Sequence, residues 1–283
     1  MTEMKPIISS VSDTARWVAV YRAIESDRPD ALFHDPLAGM LAGEVGPAIA
    51  AETRRVMGEH GWPIVARTKL IDDMITSAIA EGCDRVVNLA AGLDTRPYRL
   101  DLPKDLVWVE ADLPALLEEK KRLLEWQTPR CRLIRRGVDL ADPIARKVFL
   151  ADALAGASRA FVITEGLVMY LRPEEVRELS FDFRRREIAW WVVDIVSVVI
   201  AERLERSGDG LLKNAPFTFT PANGVAFFEE DGWAVLDIES ILLAAGRFRR
   251  LSPLYRLFAG LPQPNPRKPG TIIPWSAVLR LTH

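Results

Sequence analysis

Acids and small residues fall at the ends of apolar runs along this chain, in an order that could hold a nucleoside. The run Val86-Val87-Asn88-Leu89 leads into Ala90-Ala91-Gly92 and then Asp94-Thr95-Arg96. A second run, residues 106–109, leads to Asp112; a third ends in Val138-Asp139-Leu140 and a fourth in Thr164-Glu165-Gly166. A turn of small residues lets backbone approach a ligand, and an acid at the tip of the next strand can accept hydrogen bonds from ribose hydroxyls. A dinucleotide is the physical competitor. Its fingerprint needs a third small residue where Asp94 and Thr95 stand, and a carboxylate beside a pyrophosphate is unfavourable. Three acids on one edge suit a ligand with ribose hydroxyls, an adenine amine and a cation, the groups of S-adenosylmethionine.

The elements that must position these tips alternate. Strands are predicted from residues 85, 106, 132–140, 159–164 and 189–196, with helices over 114–126, 143–154 and from Pro173. Such alternation implies a parallel sheet with right-handed crossovers. A helix over 67–81 carries Leu70, Ile71, Met74 and Ile75 at helical spacing and stops at Gly82. An earlier helix ends near Glu25-Ser26, with Ser12-Asp13 as its expected cap. Residues 1–82 are therefore expected to form a helical cap, and 83–283 the ligand-binding core, in one integrated domain. In the last third, helix is predicted over 200–206 and 238–245, with a short helix or turn around Trp233. Strands are predicted at 247–251 and 276–282, pairing across a proline-rich loop as an antiparallel edge.

Composition bounds the rest. The chain has 283 residues and a formal net charge of −2, so no global field favours nucleic acid or an anionic membrane. The basic clusters Arg135-Arg136, residues 184–186 and Arg249-Arg250 are read as solvated faces. Two cysteines, Cys83 and Cys131, make neither a disulfide framework nor a metal site and suit the cytoplasm. No stretch is long and apolar enough to span a bilayer; Asp194 interrupts the longest.

Longer motifs carry a resemblance. SDTARWVAVYRAIES-x-x-PD-x-LF-x-DPLA (residues 12–38), RT-x-x-ID (67–72), VVNLAAGLDTRPYRL (86–100), the acidic-DLP pattern (110–114), Val138-Asp139-Leu140 and ITEGLVMYL (163–171) follow one another in order. In this the chain resembles the leucine carboxyl methyltransferase family, in particular its bacterial S-adenosylmethionine-dependent O-methyltransferase branch. The resemblance implies a Rossmann-like class I methyltransferase fold, a mostly parallel seven-stranded sheet with an antiparallel last strand. It also implies roles. Arg67 would hold the cofactor's methionine carboxylate, and Ala90, Ala91 and Gly92 would form the cofactor loop. Asp112 with Leu113 would meet the ribose, Asp139 and Leu140 the adenine, and Glu165 with Gly166 the methionine part. Asp94, Thr95 and Arg96 belong to the same pattern, either as ligand contacts or as a turn with a salt bridge. The family usually has Gly where this chain has Ala90.

Methyl transfer from a sulfonium is a direct displacement, so the protein must align an oxygen and exclude water. Of three histidines, His34 stands at a variable position of the motif and His60 and His283 lie outside it, which favours a carboxylate acceptor or a mechanism by proximity alone, with a Lys, Tyr or Asp base left open. Candidates near the reacting oxygen are Tyr170, Arg22 and Tyr21, with Arg16 and Phe33 as further pocket residues. Trp233 and Trp275 could meet an aromatic substrate. The expected partner is a small, natural-product-like acceptor, with no nucleic acid or membrane; a homodimer is left open. The alternatives are a non-catalytic binder of the same cofactor and methylation of a protein C-terminal carboxylate.

Overall fold

The structure, a computed structural model, describes residues 11–48, 50–51, 60–207, 216–268 and 272–283. The capping expected of Ser12 and Asp13 concerns side chains outside that set. Seven strands build one sheet: β1 (Arg85–Leu89), β2 (Val107–Asp112), β3 (Arg132–Gly137), β4 (Ala160–Thr164), β5 (Ile188–Val196), β6 (Ala234–Ser240) and β7 (Ser276–Thr282). Their order is β3-β2-β1-β4-β5-β7-β6. The first five are mutually parallel, and β7 runs antiparallel between β5 and β6.

The central strands β1, β2, β4 and β5 are buried on both faces, which is why they read as largely apolar runs. Val87, Val109, Val162, Trp191 and Val193 face one side, with Phe149, Leu150, Val176 and Leu179 of helices Pro143–Ala153 and Pro173–Asp182. Val86, Trp108, Phe161, Trp190 and Val192 face the other, because successive side chains alternate. There they meet Leu70, Ile71, Met74 and Ile75 of the helix Trp62–Ala80 and Ile241 and Ala244 of the helix Ile241–Arg247. The former helix starts a turn before its expected Arg67, with Pro63 in its first turn. It forms a layer against the sheet. A third cluster joins Trp17 and Tyr21 of helix Val11–Ser26 to Leu93, Leu116 and Leu204, at the strand-tip end. Burial pushes the free thiols of Cys83 and Cys131 up to about 11, so both are inert at neutral pH. Among the described residues no helix is long and apolar enough to cross a membrane.

The last third departs from expectation. Residues 234–240 are strand β6, with helix only from Ile241. Ile238, Ile241, Leu242 and Ala245 stand at helical spacing, and that overlap hid the strand boundary. The short helix is Ala226–Glu230, ahead of Asp231, while Trp233 leads into β6. Residues 247–251 are not a strand. Arg249 takes a positive φ of 58° and Arg250 N–H returns to Ala245 O at 2.8 Å, closing the helix. The helix Pro253–Ala259 that follows lay outside every sequence expectation.

Arg250 is also not on a solvated face. Its Nε and Nη2 donate to Glu25 at 2.9 and 2.7 Å, and Nη1 to Asp30 Oδ2 at 3.1 Å, so two segments far apart in sequence are clamped. Glu25 is 1% exposed and also accepts Leu32 N–H. Arg250→Ala strands that carboxylate and should cost about 3–5 kcal/mol in denaturant unfolding. Arg250→Met with Glu25→Leu should recover most of the loss, because no buried charge is left alone.

Candidate functional site

The glycine turn after β1 is held by three contacts. Ala91 N–H donates to Ala111 O at 3.1 Å, Gly92 N–H to Asp112 Oδ2 at 2.6 Å, and Asp94 N–H to Ala91 O at 2.9 Å. Asp112 Oδ1 accepts Leu113 N–H at 2.7 Å. Each Asp112 oxygen thus takes one backbone donor and keeps acceptor capacity for a ligand. Burial, only partly offset by those two N–H groups, pushes the Asp112 carboxyl above its ordinary value. Gly92 has φ 47°, and a Cβ there would lie 3.2 Å from Ala15 of the first helix, so both conformation and space favour glycine. Ala90 has φ 53°. The residue that differs from the family's usual glycine therefore sits in the left-handed region, where an alanine is strained.

Behind this turn lies a buried ion network. Arg96 Nε donates to Asp72 at 2.7 Å, and its Nη1 donates to Asp94 at 2.9 Å and to Glu165 at 2.7 Å. Arg99 donates to both Asp72 oxygens at 2.6 and 2.8 Å. Asn88 Nδ2 donates to Asp94 Oδ2 at 2.8 Å. Arg67 bridges Glu165 Oε1, at 2.9 Å, and Asp194 Oδ2, at 2.7 Å, while Asp194 Oδ1 accepts Gly166 N–H at 2.7 Å. Burial alone would raise the Asp94 and Glu165 carboxyls, but Arg96, and Arg67 for Glu165, hold both below the ordinary carboxylate range. Burial works against the Arg67 charge, and Asp194 and Glu165 outweigh it.

A cavity of about 1460 Å³ opens at these tips. Arg67, Ala90, Ala91, Gly92, Asp94, Asp112, Leu113, Asp139, Leu140, Glu165 and Gly166 all line it, so the structure brings the whole expected cofactor set together. Thr95 and Arg96 are buried behind the wall. Asp139 is exposed at the tip of β3, its Oδ1 accepting Ala141 N–H at 2.9 Å.

The acceptor-side candidates divide. Tyr170 lines the cavity and packs edge-on against Phe217, with ring centroids 5.3 Å apart. Burial pushes its phenol up, Thr14 offsetting this in part. Arg22 lines the wall but is engaged with Leu93 O at 2.6 Å and Asp35 at 3.2 Å. Tyr21 is buried in the core beside Trp17, its hydroxyl 3.3 Å from Ala50 O, and does not line the cavity. Arg16 pairs with Glu119, and Phe33 lies under Arg99. Trp275 lines the cavity; Trp233 is in the core, donating to Ser180 Oγ at 2.8 Å. Asp194 and Asp72 were given no role by sequence. The signal for Asp194 was a lone acid inside an apolar strand, since buried charges are paired.

A model of the family described as leucine carboxyl methyltransferase matches residues 15–182. The chain belongs to that family. A Streptomyces coelicolor relative, provisionally named an S-adenosyl-L-methionine-dependent methyltransferase, is 39% identical over 181 residues, 60% of this chain and 63% of the relative. A Mycobacterium tuberculosis relative with the same provisional name is 36% identical over 188 residues, 62% of each. The chain thus spans less than two thirds of these relatives' length. A DUF574 family protein from Streptomyces avermitilis superposes on 94% of this chain and 96% of its own, with TM-score 0.54 and 15% identity. A Thermobifida fusca protein provisionally named a methyltransferase covers 87% and 93%, with TM-score 0.51 and 15% identity. These two share the Rossmann-like fold.

Two measurements probe the site's foundations. Ala90→Gly should raise Tm by up to about 2–4 °C, relief of strain exceeding the added chain entropy; Ala90→Val should lower it. Because the Asp94 and Glu165 values are depressed, their stabilisation is present above about pH 4, the ordinary carboxylate value, and is lost as pH falls below it. Urea melts across acidic pH should show that decline, and Asp94→Asn should make it shallower.

Proposed function

We propose that this chain is an S-adenosylmethionine-dependent methyltransferase that acts on an oxygen of a small, natural-product-like acceptor, a carboxylate above all. The observation that carries the reading is Asp112, which holds the Ala90–Gly92 turn and still offers oxygen lone pairs to the cavity. Among the described residues eight carboxylates line the cavity, Asp94, Asp112, Asp139, Glu165 and Asp194 among them, against six arginines that include Arg67 and Arg22. That excess suits a ligand carrying an ammonium and a sulfonium beside one carboxylate.

When bound, the cofactor supplies a methyl group on sulfur, open to direct displacement. The chain's own residues bind and orient. Asp112 takes the ribose hydroxyls, Asp139 and Leu140 the adenine side, and Ala91 and Gly92 the close backbone approach. Arg67 Nη2 makes no hydrogen bond among the described residues and can hold the methionine carboxylate, while Glu165 and Asp194 fix its plane. The helical N-terminal segment acts as the cap, with the first helix standing on Gly92. Burial disfavours the ionised form of the Tyr170 phenol, and none of the three histidines lines the cavity. An acceptor oxygen that is already ionised therefore suits the site, as a carboxylate is at neutral pH. The free thiols suit a cytoplasmic setting.

Saturating S-adenosylmethionine should stabilise the protein by about 2–3 kcal/mol at a hundred times its Kd, seen as a rise in Tm. Asp112→Ala should remove most of that rise. An unchanged melting curve of the wild-type protein with cofactor would end this reading.

A further inference from the structure

One wall of the cavity has a different chemistry. Among the described residues between 254 and 276 no charged side chain lines it, and its polar groups are those of Tyr255, Gln263 and Ser276 and the indole N–H of Trp275. The Gln263 Nε2 donors are already engaged, with Phe258 O at 3.1 Å and Leu261 O at 2.8 Å. Trp62, Tyr255 and Phe258 form a row of rings, with centroids 5.5 and 6.4 Å apart along it. Leu254, Phe258, Leu261, Ile272 and Ile273 line the same wall and remain 49–86% exposed. Single exposed apolar residues are ordinary; a cluster rimming a cavity marks what the cavity binds. Ligand sites usually measure about 300–1,000 Å³, so 1460 Å³ leaves room for a second molecule beside a nucleoside. A charged body such as a peptide or a nucleotide would leave its polar groups unpaired on this wall.

We propose that the methyl acceptor is an amphipathic acid. Its carboxylate lies at the strand-tip end, and its apolar body, alkyl or fused-ring, lies along Trp62, Tyr255, Phe258 and Ile273. The inference rests on the methyltransferase reading for the fate of the carboxylate, and on this wall alone for the apolar body. In the transfer, one carboxylate oxygen donates its electron pair to the methyl carbon. The carbon–sulfur bond breaks, its electrons stay on sulfur, and a neutral ester and thioether result with no proton moved.

Calorimetry with straight-chain acids from hexanoate to dodecanoate, with and without S-adenosylhomocysteine, tests the assignment. Kd should fall by up to about fourfold per added methylene, the gain for burying one such group. Phe258→Asp, a change at a half-exposed position, should weaken dodecanoate roughly tenfold or more while S-adenosylhomocysteine binds as in the wild type. Affinity independent of chain length, or a Phe258→Asp variant that binds dodecanoate equally well, would overturn the proposal. Absence of S-adenosylhomocysteine binding would instead remove the methyltransferase reading, and the chain-length slope without it would still decide the apolar body.

Discussion

Arg96 is the charge on which the rest of the site depends. It is 2% exposed, and in one guanidinium it ties the helix Trp62–Ala80 through Asp72, the turn after β1 through Asp94, and the tip of β4 through Glu165. Arg67 continues the chain to Asp194 on β5. Buried ion pairs of this kind repay little beyond their desolvation. Their geometry is what they contribute, because each carboxylate has one place where it is neutralised. The tips of β1, β4 and β5 and the helix behind them are thereby locked in one relation, and the cavity inherits its shape from that lock.

The two walls of the cavity follow from how the chain reaches them. The strand-tip end is built from residues just beyond β1 to β5, where turns need short polar side chains and the network needs acids. The apolar wall is built from the connection between β6 and β7, on which Ile241, Leu254 and Phe258 line the cavity. One cavity therefore has a charged wall and an apolar wall, supplied by different parts of the topology.

The strand-tip acids were legible in sequence because apolar runs mark the strands, and a strand's end is a topological fact that needs no side-chain detail. The Asp94-Thr95-Arg96 motif was legible as a motif, but not as a network, since Arg96 chooses Asp72 and Glu165 only once helix and sheet meet. Asp194 was visible as an anomaly whose partner, Arg67, lies far away in sequence. Tyr21 looked like a pocket residue because its helix borders the pocket; its own direction along that helix is inward, towards Trp17. β6 was hidden because a half-exposed edge strand running straight into a helix mixes two periodicities. Arg250 read as a surface charge because Glu25, its partner, stands at the other end of the chain.

The strand order has a consequence for how the molecule is made. β6 bonds only to β7, and β7 fills the place beside β5. During synthesis, then, β6 emerges with no neighbour, and the apolar edge of β5, with Trp191 and Val193, stays open until residues 276–282 arrive. An open, apolar edge is where nascent chains pair wrongly. The segment that carries the cavity's apolar wall is translated inside this interval. Closing the sheet needs β7, and the pocket's apolar wall lies on the segment just before it.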